Sequence, residues 1–179
     1  MKVWDRFVRV AHWTLAAGVV TAWLTGQWRL ESTERLHEWS GYAVLAVIAL
    51  RVAWGWIGPR YARFSQFVAG PSRTLGYANA VLRRLEPRYI GHNPLGGWMI
   101  VALLGTAVLA SLSGWLSITD RFWGVAWVQD AHHLLGDGLI VLAAVHVTGV
   151  VYTSIRQGEN LVAAMFRGVK RPPEPGDVA

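Results

Sequence analysis

Residues 132–155 read HHLLGDGLIVLAAVHVTGVVYTSI, an apolar run that begins with two histidines and contains a third. About 20 residues of helix suffice to cross a bilayer, so the run predicts a membrane-spanning helix. His132 and His146 stand at positions i and i+14 of this run. That spacing is about four helical turns, so both imidazoles face one way at depths about 21 Å apart. The segment therefore predicts a membrane helix that presents histidine at two levels.

Three further apolar runs, at residues 10–28, 38–57 and 96–118, are also long enough to span a membrane. The 179 residues are 53% hydrophobic and only 16% charged, whereas soluble domains average roughly 25% charged residues. The expected fold is therefore an all-α membrane protein, a four-transmembrane-helix bundle. It forms one domain over residues 1–170, followed by a tail at residues 171–179.

Two segments outside these runs carry their own patterns. Residues 71–85 mix three arginines with leucine, tyrosine and valine, which predicts a short amphipathic surface helix between the second and third spans. Residues 171–179 begin RPPEP, and this composition predicts a tail that is disordered or lies against another protein.

Positive charge predicts the orientation. The amino end, residues 58–91 and the segment from Arg156 onward carry thirteen lysines and arginines, whereas the other two loops carry three, Arg29, Arg35 and Arg121. The positive-inside rule then predicts that both termini are cytoplasmic. Cytoplasmic loops that meet anionic lipid headgroups explain the net charge of +6 without a nucleic-acid partner.

This topology sorts four histidines by depth. His12 opens the first span near the cytoplasmic side, and His37 opens the second near the outer face. The predicted outer pair is therefore His37 with His132, and the predicted inner pair is His12 with His146. Zinc or copper would need three or four ligands at one point, whereas two distant pairs of axial ligands suit two low-spin haems. The chain has no cysteine for covalent attachment, so the haems are expected to be of b type.

Nearby residues refine the outer site. His133 is one position nearer to His146 than His132 is, and a helix therefore places it on nearly the opposite face from His146. His132 is the expected ligand, and His133 is expected to be a rim residue or hydrogen-bond partner. Gly41 and Gly136 each follow a histidine of the outer pair by one helical turn. A glycine there lets a flat macrocycle lie against the backbone.

Two further residues have alternative roles. Arg51 follows His37 with the same i, i+14 spacing that relates His146 to His132. It therefore either meets a propionate of the inner haem or snorkels to the cytoplasmic surface. His92 precedes Asn93-Pro94, a favourable helix start. It is expected in a capping loop at the interface, and the alternative is a quinone or proton site beside the inner haem.

The chain resembles the bacterial cytochrome b561 family, most closely the b-type subunits of nickel-iron hydrogenases and their stand-alone relatives. The motifs that carry the resemblance are WDRFxRxAHW at 4–13, HEWxGY at 37–42, RVAWGWIG at 51–58, RF at 63–64, GHNPLG at 91–96 and GENLVxAMFxGxKR at 158–171. The resemblance implies two bis-histidine b haems on His12, His37, His132 and His146, with electron exchange with the quinone pool. The family commonly has an acidic residue where this chain has His133.

The expected function is transmembrane electron transfer in the bacterial inner membrane, between a periplasmic partner and the quinone pool. The partner would be a c-type cytochrome or a redox enzyme subunit that meets the outer haem near residues 32–39 and 120–131. The acidic residues of these loops favour a basic partner; they are Glu31, Glu34, Glu38, Asp120 and Asp130.

Two other classes of function stay open. One is a self-contained oxidoreductase that oxidises superoxide or quinol at the outer haem. A funnel of arginine or lysine at the outer face would favour superoxide, and only Arg29, Arg35 and Arg121 are available there. The other is a non-redox membrane anchor or a haem transporter, which would hold haem only transiently. Stable binding of two haems per chain would distinguish electron transfer from transport.

Overall fold

The computed structural model of the protein describes residues 1–28 and 31–178, without the side chains of residues 31 and 32. Arg29 and the side chain of Glu31, both counted among the outer charges, lie outside this description. The described residues form seven α-helices and one short 3₁₀ helix, Arg60–Ala62. The α-helices are α1 Arg6–Gln27, α2 Glu31–Ile57, α3 Phe64–Phe67, α4 Pro71–Leu82, α5 Pro94–Ser117, α6 Ala126–Gln157 and α7 Leu161–Arg167.

Four of these helices, α1, α2, α5 and α6, are long and apolar enough to cross a membrane. They coincide with most of the four predicted runs, but α2 and α6 begin seven and six residues earlier, because their first turns are too polar to register as apolar. His37 and His132 therefore lie inside helices rather than at their starts. At 1.5 Å per residue, the 32 residues of α6 measure about 48 Å, so this helix extends beyond a hydrocarbon core of about 30 Å.

The chain divides into two compact units. Unit 1 comprises Met1–Arg9, Val52–Val101 and Val145–Ala179, and unit 2 comprises Val10–Arg51 and Ala102–Ala144. In unit 2, segments of the four long helices pack around one apolar core. Its buried members are Val44, Ile48, Ala107 and Leu139. The predicted division at residue 170 stays a prediction.

In unit 1, the amino end is hydrogen-bonded to the residues that follow α7. The Val3 and Trp4 backbone N–H groups both donate to the Gly168 carbonyl, at 2.9 and 3.2 Å. Gly168 ends α7 with a φ of +80°, and a Cβ there would be 2.6 Å from the Trp4 carbonyl oxygen. Only glycine meets both requirements at this position.

The tail at 171–178 is held by its own chain, so the prediction of a disordered or partner-bound tail is wrong. The Val178 N–H donates to the Arg88 carbonyl at 2.8 Å, and the Ile90 N–H donates to the Val178 carbonyl at 2.9 Å. The Arg88 guanidinium also forms an ion pair with Asp177. The proline-rich composition did not reveal these contacts, because their partners lie in a distant part of the chain, between α4 and α5.

Four charged side chains of unit 1 form a buried ion cluster: Arg88, Glu159, Lys170 and Asp177. Arg88 Nη2 is 3.1 Å from Glu159 Oε1, and Lys170 Nζ is 3.5 Å from Glu159 Oε2. Burial alone would raise the pKa of Glu159, but the Arg171 backbone N–H, Lys170 and Arg88 together lower it. A hydrogen bond from the Glu174 backbone N–H, assisted by Arg88, lowers the pKa of Asp177.

This cluster predicts acid sensitivity. Both carboxyl groups have lower pKa values in the folded protein than in the unfolded chain. The stabilisation that these two carboxylates provide is therefore complete above their pKa values in the unfolded chain, about 4. It is lost as the pH falls through their lower pKa values in the folded protein. We expect the unfolding temperature, followed by tryptophan fluorescence in detergent, to fall as the pH drops below about 4. Glu159→Gln should weaken this dependence.

The control for this prediction is Glu174→Gln. Glu174 pairs with Arg171, and its side chain is 60% exposed, so its charge contributes little to stability. Equal pH dependence of the unfolding temperature in the two variants would contradict the assignment to the buried ion cluster.

Charge is divided unequally between the two units. Unit 1 contains all thirteen lysines and arginines of the three positive segments and five acidic residues, a net charge of +8. Unit 2 contains four arginines and six acidic residues, a net charge of −2.

The helix α4 occupies the segment predicted as a surface helix. Tyr77 on one face is buried, while Leu75 and Leu82 are 71% and 84% exposed. Apolar side chains therefore occupy both faces of α4, and those of the second face are exposed.

Candidate functional site

A cavity of about 640 Å³ lies within unit 2 and is lined by residues of α1, α2, α5 and α6. Its volume falls in the range of ligand and cofactor sites, about 300–1,000 Å³. Six residues singled out from the sequence line it: Glu34, His37, Gly41, His132, His133 and Gly136. The structure thus brings the predicted outer histidines and both predicted glycines to one cavity.

The rings of His37 and His132 are the nearest pair of imidazoles at this cavity. Their centres are 5.8 Å apart and their planes are 89° apart. Two imidazoles that bind one metal ion from opposite sides, through bonds of about 2.0 Å, have ring centres about 6 Å apart. The observed separation is therefore close to that of two axial ligands.

Hydrogen bonds determine which nitrogen of each histidine ring is available to bind a metal ion. His37 Nδ1 is 2.7 Å from the Ala22 carbonyl oxygen, and His132 Nδ1 is 2.9 Å from the Ala110 carbonyl oxygen. A carbonyl only accepts, so Nδ1 carries the proton in both rings. Nε2 of each neutral imidazole then bears the lone pair that a metal needs.

Two kinds of glycine surround these histidines. A Cβ on Gly41 or Gly136 would meet no atom within 4 Å, so both positions leave open space at the cavity wall, and their contact with a macrocycle stays a prediction. A Cβ on Gly26 would be 3.0 Å from His37 Cε1, and one on Gly114 would be 2.8 Å from His132 Cε1. Gly26 and Gly114 were not predicted from the sequence, although a repeated pentapeptide that ends in each was a visible signal.

The rim of the cavity is polar and acidic. The Trp23 Nε1–H donates to Asp137 Oδ1 at 3.0 Å, and Glu34 also lines the cavity. His133 is exposed, with its ring 6.0 Å from that of His132. Among the lining residues that the structure describes, none is lysine or arginine.

These residues fit a non-covalent haem. Two imidazoles whose Nδ1 atoms are bonded to carbonyls line one cavity with ring centres 5.8 Å apart, and glycines leave room at the wall. In the described part of the chain, no three histidine, cysteine, aspartate or glutamate side chains are grouped to hold a metal ion.

The remaining predicted residues are divided between the two units. His12 lies in α1 within unit 2, whereas His146 lies in α6 within unit 1, and their pairing stays a prediction. Arg51 is buried, with 6% of its surface exposed.

His92 lies against two aromatic rings in unit 1. Its ring centre is 4.5 Å from that of Trp4 and 4.9 Å from that of Phe67. Beside it, Asn93 Oδ1 accepts a hydrogen bond from the Gly96 N–H at 2.8 Å and caps α5. This arrangement agrees with the expected capping loop.

Four helices able to cross a membrane, with a cavity that holds two neutral imidazoles, are features of a membrane-bound b-type cytochrome. The chain belongs to the prokaryotic cytochrome b561 family, whose model matches residues 3–168. The resemblance found in the sequence is thereby confirmed. The protein is a multi-pass membrane protein of a family that binds haem b and transfers electrons in the membrane.

Several relatives carry the name "Probable Ni/Fe-hydrogenase B-type cytochrome subunit". The protein from Azotobacter vinelandii is 26% identical, over 93% of this chain and 86% of its own length. Those from Bradyrhizobium diazoefficiens and Rhizobium leguminosarum bv. viciae are 25% and 24% identical, over 94% and 93% of this chain and 85% and 87% of their own lengths. No solved structure matches the chain.

Proposed function

We propose that the protein transfers electrons across the bacterial inner membrane through two b haems, each held by two histidines. His37 and His132 would hold the outer haem, and His12 and His146 the inner one. When bound, haem supplies a one-electron couple. The observation that carries the proposal is the outer pair, whose rings lie 5.8 Å apart with both Nδ1 atoms bonded to carbonyls.

The inner site is proposed from spacing. His146 follows His132 by about four turns on the same face of one continuous helix, α6. Arg51 follows His37 by the same spacing and is buried, which favours contact with a propionate over exposure at the membrane surface. Electrons would then move between two sites about 21 Å apart along the helix axis.

The redox partners are proposed from charge and from the relatives. Unit 2 has a net charge of −2, which suits a basic c-type cytochrome or a basic surface of an enzyme subunit on the periplasmic side. The relatives are named as subunits of nickel-iron hydrogenases, so a redox enzyme is a partner of the expected kind. A membrane quinone would exchange electrons at one face.

Orientation and lipid contact follow from the same charges. The thirteen lysines and arginines of unit 1 favour a cytoplasmic position for both termini and contact with anionic headgroups. The exposed leucines of α4, Leu75 and Leu82, would insert into the membrane interface. Arg73, Arg83 and Arg84 would contact the lipid headgroups.

Self-contained oxidation of superoxide at the outer haem has less support. An anionic substrate needs a positive approach, whereas Glu34 and Asp137 line the cavity and the described lining contains no lysine or arginine.

The proposal predicts two haems per chain and movement of electrons through the protein. Purified protein should show two b haems in a reduced-minus-oxidised spectrum, and His146→Ala should retain one. In vesicles that contain trapped ferricyanide, external quinol should reduce the trapped oxidant only when the protein is present.

His92→Ala is the matched control for His146→Ala, because His92 lies in the loop before α5 and should leave both haems bound. An unchanged haem count in His146→Ala would contradict the inner ligand assignment. Haem reduction without reduction of trapped ferricyanide would favour the self-contained oxidoreductase.

A further inference from the structure

A pentapeptide, A-x-L-[ST]-G, occurs twice in unit 2. It is AWLTG at residues 22–26, near the end of α1, and ASLSG at residues 110–114, near the end of α5. The first copy contacts His37 and the second contacts His132. Each histidine lies six residues after the first residue of the next long helix, α2 or α6.

In each copy the alanine carbonyl accepts from the histidine, and the hydroxyl one residue before the glycine bonds back to a carbonyl of its own helix. In the first copy, Ala22 accepts from His37 Nδ1 at 2.7 Å, and Thr25 Oγ1 is 2.7 Å from the Thr21 carbonyl oxygen and 3.1 Å from that of Ala22. In the second, Ala110 accepts from His132 Nδ1 at 2.9 Å and from Ser113 Oγ at 3.0 Å. A hydroxyl that bonds back to a helix carbonyl competes with the backbone N–H and bends the helix locally, which makes the carbonyl accessible to the imidazole.

The glycine of each copy supports the same edge of the ring. A Cβ on Gly26 would lie 3.0 Å from Cε1 and 3.1 Å from Nδ1 of His37. A Cβ on Gly114 would lie 2.8 Å from Cε1 and 3.2 Å from Nδ1 of His132. Carbon atoms normally approach to about 3.5–4.0 Å, so only glycine lets either ring rest in its present position.

We infer that the two pentapeptides are histidine cradles, which fix the proton on Nδ1 and the plane of each ring of the outer pair. The carbonyl holds the ring at Nδ1, and the glycine surface limits its rotation about the bond to Cβ. Thr25, Gly26, Ser113 and Gly114 are thus positioning residues for the outer haem. The inference rests on the proposed function, since it assigns these residues to the support of haem ligands.

The cradles have a consequence for the bound haem. Each ring is held by a different helix, α1 or α5, so the angle of 89° between the ring planes is a property of the protein. The angle between two axial imidazoles governs the anisotropy of the low-spin EPR signal. The outer haem should therefore give the strongly anisotropic signal of nearly perpendicular ligands.

Gly114→Ala tests the glycine surface. Because its Cβ would be 2.8 Å from His132, the ring must turn, and the EPR signal of the outer haem should shift while the inner signal stays unchanged. Gly105→Ala is the matched control in the same helix, since a Cβ at Gly105 meets nothing within 4 Å. Selective loss of the outer haem in Gly114→Ala, with Gly105→Ala intact, would equally support the cradle.

Ser113 tests the hydroxyl. Ser113→Ala removes the donor to Ala110 and should weaken haem binding at the outer site about 10- to 100-fold, as is typical for residues that orient metal ligands. Ser113→Thr keeps the hydroxyl and copies the other cradle, so it should bind haem as the wild type does. Transfer of haem to apomyoglobin measures the affinity of the outer site for haem. If Gly114→Ala fails to fold, the comparison of Ser113→Ala with Ser113→Thr tests the cradle instead.

The outcomes separate the two proposals. A wild-type protein without two haems would overturn the proposed function. A wild type with two haems would leave that function standing, and the cradles would be overturned by unchanged EPR in Gly114→Ala or by equal haem affinity of Ser113→Ala and Ser113→Thr.

Discussion

His132→Ala is expected to lower the haem content of the purified protein from two b haems per chain to one. The change removes one of the two proposed ligand imidazoles that line the same cavity, and His37 alone cannot hold the iron from both sides. The neighbouring His133 cannot take over, because it is displaced by about 100° around α6 and its ring is 6.0 Å from that of His132. The count is measured as a pyridine haemochrome per chain.

His133→Ala is the matched control for this change. It removes an imidazole one position away, which is exposed at the rim, and it should retain both haems. Loss of a haem in His133→Ala with retention in His132→Ala would reverse the ligand assignment made from helical spacing. Loss in neither variant would refute an axial role for both residues.

Arg88→Ala is expected to destabilise the protein by about 3–5 kcal/mol, the usual cost of removing one partner from a buried ion pair. Arg88 is 6% exposed and pairs with both Glu159 and Asp177. Its removal would leave two buried carboxylates to share Lys170, and the tail would lose its main attachment. Unfolding by heat or by SDS, followed by tryptophan fluorescence, measures the loss.

Arg171→Ala is the control for this prediction, because the Arg171–Glu174 pair is exposed and such pairs contribute about 0–1 kcal/mol. A loss in Arg88→Ala no larger than in Arg171→Ala would contradict a stabilising role for the buried ion cluster.

The predicted spans agree with the structure to within about seven residues at every end, because hydropathy is a local property. The largest errors are at the starts of α2, at Glu31, and of α6, at Ala126. Both first turns contain charged or amide residues, so an apolar window excludes them. The expectation for the tail was wrong, since Arg88 is 89 residues from Asp177 and no local pattern joins them.

The candidate site was predicted in part. His132, Gly41 and Gly136 came from spacing along single helices and His37 from the predicted topology, and all four line one cavity. The residues that support them were missed because each histidine meets its cradle across a hairpin, 15 or 22 residues from the accepting alanine. The repeat of A-x-L-[ST]-G was visible in the sequence, but only a contact could give it a role.

The sequence by itself determined the properties that depend on one helix or loop at a time. These are four membrane spans, the charge of each loop, and histidines four turns apart on one face. A helix has a fixed period and rise, so spacing in sequence converts directly into direction and depth. Only the tertiary structure decided which carbonyl takes the proton of each imidazole, which glycine supports its ring, and which arginine holds the tail. These contacts join distant parts of the chain, and close packing between helices selects them.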